Sequence, residues 1–124
     1  MQNIFVLRDP MAPFDPCAWI AQPASGSIYS NDQNIQWKLI VDPGSNANWD
    51  PGAIPPIVFG NDWNGTIPER VDDPAGGPPF YRATGPGQTP IAPITYSYTI
   101  YLRVPLCAKE LVVISATITN QPKM

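Results

Sequence analysis

The sequence contains no histidine, and this absence excludes several kinds of active site. Without an imidazole the chain cannot build a Ser-His-Asp or Cys-His triad, and it cannot bind zinc or copper through histidine. Charged residues make up only 14% of the 124 residues, well below the share of about 25% in ordinary domains. The net charge of −3 also argues against binding to nucleic acid. We therefore expect a protein that is not an enzyme and has no metal, no cofactor and no nucleic-acid partner.

Long apolar runs are missing as well. No stretch approaches the roughly 18–20 apolar residues that cross a bilayer, so we expect no membrane association. The N-terminal run Ile4-Phe5-Val6-Leu7 ends at Arg8 and is too short for a secretory signal. With Met1 as the natural start, the expected location is cytoplasmic. The 17 prolines leave few stretches in which a helix could form.

The remaining pattern is that of β-strands. Residues 94–104 alternate strictly between apolar and polar side chains, and the stretches 35–41 and 111–119 show the same two-residue period. Weaker strand candidates lie at residues 3–7, 18–21, 27–29, 57–59 and 80–84. The sequence therefore predicts one domain over residues 1–124, an all-β antiparallel β-sandwich of about seven or eight short strands with an immunoglobulin-like or cupredoxin-like shape.

The segment 42–93 is rich in proline and predicts long loops, but its aromatic residues indicate that these loops are ordered. Trp49 and Trp63 each lie among short polar side chains, a combination that suits stacking against a sugar and bonding to its hydroxyls. The alternative is that each indole packs onto the end of the sandwich while Asn and Asp form turns. The candidate ligand-binding residues are Trp49, Asn61, Asp62, Trp63, Asn64 and Tyr81.

Adjacent carboxylates offer a weaker alternative. Asp72 and Asp73, with Asp50, Asp62 and Glu69 near them in sequence, could perform acid–base chemistry on a sugar or bind calcium. The favoured interpretation is a solvated turn before Pro74, because aspartate is common in such turns and the spacing of a calcium-binding loop is absent.

The chain has two cysteines, Cys17 and Cys107. Two thiols cannot by themselves form a structural zinc site, which needs four ligands. In a reducing cytosol we expect two partly buried free thiols. The alternative is one disulfide that joins the N-terminal segment to the loop before the last strand.

One face of the strand at residues 94–104 is polar but uncharged. It consists of Thr95, Ser97, Thr99 and Tyr101. Charges normally keep β-sheets apart, so their scarcity favours contact with a second subunit. We expect a non-catalytic structural protein that forms homo-oligomers through sheet edges or this face. The alternative is a carbohydrate-binding module that uses the loop tryptophans.

Three segments also resemble a known family. They are Ile35-Gln-Trp37-Lys-Leu-Ile-Val-Asp-Pro43-Gly44, Phe80-Tyr81-Arg-Ala-Thr84-Gly85 and Tyr96-Ser-Tyr98-Thr-Ile100-Tyr-Leu102. Their order is similar to that of the PixA-type bacterial inclusion-body proteins. The resemblance implies a small cytoplasmic β-sandwich protein that accumulates in bulk without enzymatic chemistry. It supplies no catalytic residue to assign.

Overall fold

The structure is a computed structural model, and it describes residues 1–88 and 90–122. These residues form ten β-strands and contain no α-helix. The strands are β1 (Gln2–Arg8), β2 (Trp19–Gln22), β3 (Ser25–Ile28), β4 (Asn34–Leu39), β5 (Asn48–Trp49), β6 (Ile57–Phe59), β7 (Glu69–Val71), β8 (Phe80–Thr84), β9 (Ile94–Arg103) and β10 (Leu111–Asn120). The predicted all-β class is therefore confirmed.

The strands form two sheets. Sheet 1 has the order β2-β1-β4-β8-β7, and sheet 2 has the order β3-β10-β9-β5, with β6 also paired to β9. Both sheets are mixed, because β1 pairs with β4 and β3 pairs with β10 in parallel. The expectation of purely antiparallel strands is wrong for these two pairs. Neither pair is joined by a hairpin, so nothing in the connections forces the strands to run in opposite directions.

One hydrophobic core lies between the two sheets. Trp37 on β4 of sheet 1 is fully buried. Its indole contacts the ring of Tyr98 on β9 of sheet 2, edge to face, with 5.6 Å between the ring centroids. The two-residue period of β9 explains this contact, since it turns Tyr96, Tyr98 and Ile100 inward while Ser97 stays exposed. The sequence pattern thus placed the inner and outer faces correctly for most of β9.

The segment 42–93 contains more regular structure than its composition predicts. The strands at residues 57–59 and 80–84 were expected, whereas β5 and β7 were not. Both are only two or three residues long and pair with the longer strands β9 and β8. Strands this short depend on a partner for their backbone hydrogen bonds, so a local pattern cannot predict them.

The expectation of two free thiols is wrong. Cys17 and Cys107 form a disulfide, with 5.7 Å between their Cα atoms and 90 positions between them in the sequence. The bond ties the loop before β2 to the loop between β9 and β10, which the fold brings together. Because the cytosol keeps thiols reduced, the bond argues against the expected cytoplasmic location. As for the membrane, no helix of the described chain has the length and apolar character to span one.

Candidate functional site

Trp49 and Tyr81 lie together beside a cleft at the edge of the two sheets. Trp49 belongs to β5 of sheet 2 and lies across from Leu102 of β9. Tyr81 belongs to β8 of sheet 1. The two rings meet edge to face with 5.1 Å between centroids. The Trp49 indole Nε1 donates a hydrogen bond to the Pro79 carbonyl oxygen at 2.6 Å. The indole is therefore fixed in position, and only 5% of Trp49 is exposed.

The cleft has a volume of about 570 Å³, within the range of roughly 300–1,000 Å³ for small-molecule sites. Its walls carry four prolines, and two isoleucines stand at its rim. Ile54 is 92% exposed and Ile67 is 74% exposed. The prolines are Pro51, Pro55, Pro68 and Pro79.

The cleft has few polar groups. The Arg70 guanidinium pairs with the Asp72 carboxylate at 3.1 Å and remains largely exposed. The Asp50 carboxylate accepts a hydrogen bond from the Gly52 backbone N–H at 3.0 Å. Burial raises the pKa of the Tyr81 hydroxyl, and the charge of Arg70 acts in the opposite direction. The Tyr81 hydroxyl is thus a neutral hydrogen-bond donor at physiological pH.

Trp63 occupies a different position. Its ring stacks on Phe59 with 3.9 Å between centroids and meets Tyr96 edge to face at 5.0 Å. The indole Nε1 donates to the Thr66 carbonyl oxygen at 2.9 Å. Gly65 permits this arrangement, since a Cβ at that position would overlap the indole.

The predicted ligand-binding residues therefore do not form one site. Trp49 and Tyr81 line the cleft, while Trp63 does not. Asn61, Asp62 and Asn64 are exposed in the turn that holds Trp63. The grouping in the sequence analysis followed proximity along the chain, which does not determine which loops meet in space.

The acidic residues take part in turns and ion pairs. The Asp73 carboxylate accepts from the Ala75 backbone N–H at 2.9 Å, and Glu69 pairs with Arg82 at 3.6 Å. Asp72 and Asp50 are engaged as described above. Among the described residues, no three acidic or cysteine side chains are grouped as a metal site requires. This is the arrangement of the solvated turn favoured in the sequence analysis.

A second candidate site covers the outer side of sheet 2. The residues Thr95, Ser97 and Thr99 of β9 lie directly across from Thr119, Thr117 and Ser115 of β10. Ser25 and Ser27 of β3 continue the rows beyond Thr117 and Thr119. We call these eight residues the hydroxyl face: Ser25, Ser27, Thr95, Ser97, Thr99, Ser115, Thr117 and Thr119.

Hydroxyl groups on this face bond to one another. Thr95 Oγ1 and Thr119 Oγ1 are 2.8 Å apart, and Thr117 Oγ1 donates to Ser25 Oγ at 3.2 Å. The side chains of Val58 and Val113 border the array, beside Thr99 and Tyr101 in the register. Charges lie beyond the array: Arg103 at the end of β9 pairs with Glu110 at 3.3 Å, and the Asp62 carboxylate lies near Gly60, whose backbone N–H donates to the Ser97 carbonyl oxygen.

The sequence pattern predicted only the β9 part of this face, together with Tyr101, which is half-buried and lies across from Val113. The alternation of residues 111–119 also predicts which side of β10 is polar, so the β10 hydroxyls were within reach of the same argument. The contribution of β3 could not be predicted in this way, because neither strand has a sequence pattern that indicates the parallel pairing of β3 with β10.

This chain is similar to few known proteins. No family model and no curated protein matches this chain. Among solved structures, a cysteine protease inhibitor from Entamoeba histolytica is similar over 80% of this chain and 85% of its own, with 15% sequence identity and a TM-score of 0.40. A likeness at this level assigns neither a fold family nor a function, and the resemblance to the PixA-type proteins stays a prediction.

Proposed function

We propose that this protein is a non-catalytic structural protein that self-associates through the hydroxyl face. The observation that supports this most directly is the three-strand array of Ser and Thr side chains, none of which is ionisable. Exposed sheets in monomeric proteins usually bear lysine or other charges, which prevent association with a second sheet.

The array is suited to burial in an interface. A hydroxyl group that already bonds to its neighbour loses less on leaving water than one that depends on water, and Thr95–Thr119 and Thr117–Ser25 are such pairs. The exposed side chains of Val58 and Val113 supply apolar area at the same surface. A face of this composition favours contact with another flat and uncharged surface, and a second copy of the chain provides one.

Two of the sheet edges, at β7 and at β3, are less suited to association than the face. At the β7 edge of sheet 1, Glu69 pairs with Arg82 and Arg70 pairs with Asp72, so charged groups flank a strand of three residues. At the β3 edge of sheet 2, the Ser27 backbone N–H already donates to the side chain of Gln2 at 2.9 Å. Short, charged or capped edges protect against strand addition. Between the two routes in the sequence analysis, we therefore favour the face.

We also propose that the two sheets form a β-sandwich of immunoglobulin-like or cupredoxin-like shape. The contact between Trp37 and Tyr98 across the sheets supports this arrangement. Further support is the direct passage of the chain from β2 in sheet 1 to β3 in sheet 2, which closes one side of the core.

Sedimentation velocity at micromolar concentration tests the self-association. The wild-type protein should sediment as a dimer or larger species, and Ser97→Lys should shift it to the monomer because a lysine must then be buried in the interface. Asn3→Lys is the matched control, since it adds the same charge to an exposed position on the outer side of sheet 1. A monomeric wild-type protein, or equal dissociation by both variants, would contradict the proposal.

Carbohydrate binding is the second candidate, and the structure favours Trp63 over Trp49 for it. Trp49 is too buried to offer its ring face to a sugar. Trp63 is partly exposed, and its sequence neighbours Asn61, Asp62 and Asn64 carry amide and carboxyl groups at exposed positions of the same turn. Titration with a panel of soluble oligosaccharides, followed by tryptophan fluorescence, should show quenching that Trp63→Ala abolishes. Asp62→Ala, at an exposed position, should weaken the same signal without altering the core.

A further inference from the structure

We propose that the cleft beside Trp49 and Tyr81 binds a proline-rich peptide segment in the polyproline II conformation. This site is separate from the hydroxyl face and does not depend on self-association. The proposal rests on the chemistry of the cleft walls, on the donors that face them and on the exposed apolar rim.

The proline part of the walls is unsuited to pairing with a β-strand. A strand added to a sheet needs a row of backbone N–H and C=O groups, and a proline has no N–H. Pro51, Pro55, Pro68 and Pro79 offer instead a rigid apolar surface, and the aromatic ring of Tyr81 lines the same cleft.

The cleft has two donors that a ligand can use, while its side-chain acceptors already have partners: Asn48 Oδ1 accepts from the Trp49 backbone N–H and Asp50 Oδ1 accepts from the Gly52 backbone N–H. The Tyr81 hydroxyl can donate, and the Arg70 guanidinium keeps N–H groups beyond those that it gives to Asp72. A polyproline II segment has the complementary character. Its carbonyl groups make no internal hydrogen bonds, and its proline residues have no N–H that would need an acceptor. Grooves lined by aromatic residues recognise such segments because the ligand is ordered before it binds.

The cleft has two exposed apolar side chains in its lining. Ile54 is 92% exposed and Ile67 is 74% exposed. Two exposed branched side chains beside an apolar cleft bury apolar area when an extended ligand lies between them. A bound sugar would leave these side chains largely uncovered, and it could not stack on the indole of Trp49, which is buried.

Isothermal titration with an oligoproline peptide of about ten residues, which adopts the polyproline II conformation in water, tests the proposal. We expect Ile54→Asp and Ile67→Asp to weaken binding at least tenfold, whereas Met11→Asp, at an 89% exposed position outside the cleft, should bind within twofold of wild type. Tyr81→Phe keeps the ring, removes the donor and should weaken binding about fivefold, the loss expected for one hydrogen bond.

A Gly-Ser peptide of equal length is the ligand control and should not bind, because it is neither apolar nor ordered. Three results would overturn the proposal. They are no heat of binding by the wild type at millimolar oligoproline, equal affinity for the Gly-Ser peptide, and rim variants that bind as tightly as Met11→Asp. Quenching by an oligosaccharide that Ile67→Asp abolishes would instead assign the cleft to a sugar.

Discussion

The outer sides of the two sheets differ in charge although they cover the same core. On sheet 1, Lys38 lies beside Phe5 in the register, and Arg82 lies across from Gln36 and pairs with Glu69. On sheet 2, hydroxyl and valine side chains fill the corresponding positions. Since both sheets satisfy their backbone hydrogen bonds in the same way, the fold itself does not require this difference. The proposed self-association would account for the difference, with solvent covering sheet 1 and a second copy of the chain covering sheet 2.

The largest effect should come from the core that both faces share. Trp37→Ala removes the side chain that contacts Tyr98 and Phe59 across the sheets, and such truncations cost about 3–5 kcal/mol. Chemical denaturation should show a loss of this size, or no folded protein. Phe5→Ala is the aromatic control on the outer side of sheet 1 and should cost less than half as much. Similar losses for both would mean that Trp37 does not join the sheets.

Breaking the disulfide should separate stability from association. The Cys17→Ser, Cys107→Ser double variant loses a crosslink that spans 90 positions, which a chain-entropy argument values at about 4.6 kcal/mol. Thermal denaturation should report the loss, and a reducing agent should reproduce it in the wild type. Neither cysteine belongs to the hydroxyl face, so the folded variant should sediment like the wild type. A variant that is folded but monomeric would show that the face is not sufficient for association.

High pH should destabilise the fold because the buried hydroxyl of Tyr98, on the inner side of β9, resists ionisation. Burial raises the pKa of Tyr98 to about 12, and the Trp37 indole beside it acts in the opposite direction. The unfolded pKa is about 10, so below that value the neutral hydroxyl is present in both states and stability is unaffected. Between about pH 10 and 12 the unfolded state loses its proton first, and the free energy of unfolding should fall by roughly 2 kcal/mol.

Tyr98→Phe isolates this effect, because it leaves every other titrating group in place. Stability measured by urea denaturation should fall less steeply above pH 10 in the variant than in the wild type. Parallel curves for the two proteins would show that the Tyr98 hydroxyl has the same pKa in the folded and unfolded states, as it would if water reached it in the fold.

The sequence predicted the parts of the molecule that a single strand determines. The period of two in β9 correctly assigned Tyr98 to the core and Ser97 to the surface. It could not predict that β3 would lie parallel to β10, because strand pairing depends on both partners and on the path between them. For the same reason it grouped Trp49 with Trp63, which belong to separate sites. Whether the two cysteines pair depends on the redox state of the compartment, and the sequence indicated a compartment only through its first residues.

The smallest effect tests the comparison of the two faces directly. Replacing Lys38, Arg82 and Glu69, the ion-pair partner of Arg82, by serine should make the outer side of sheet 1 similar in charge to that of sheet 2. All three side chains are exposed, so the free energy of unfolding should change by no more than about 0.5 kcal/mol. If its charges are what prevents association through sheet 1, sedimentation velocity should show larger species than the wild type forms. Adding Ser97→Lys should then block association through the hydroxyl face and leave only association through sheet 1. An unchanged sedimentation profile would mean that the shape of the hydroxyl face, with its bonded Thr95 and Thr119, matters more than its lack of charge.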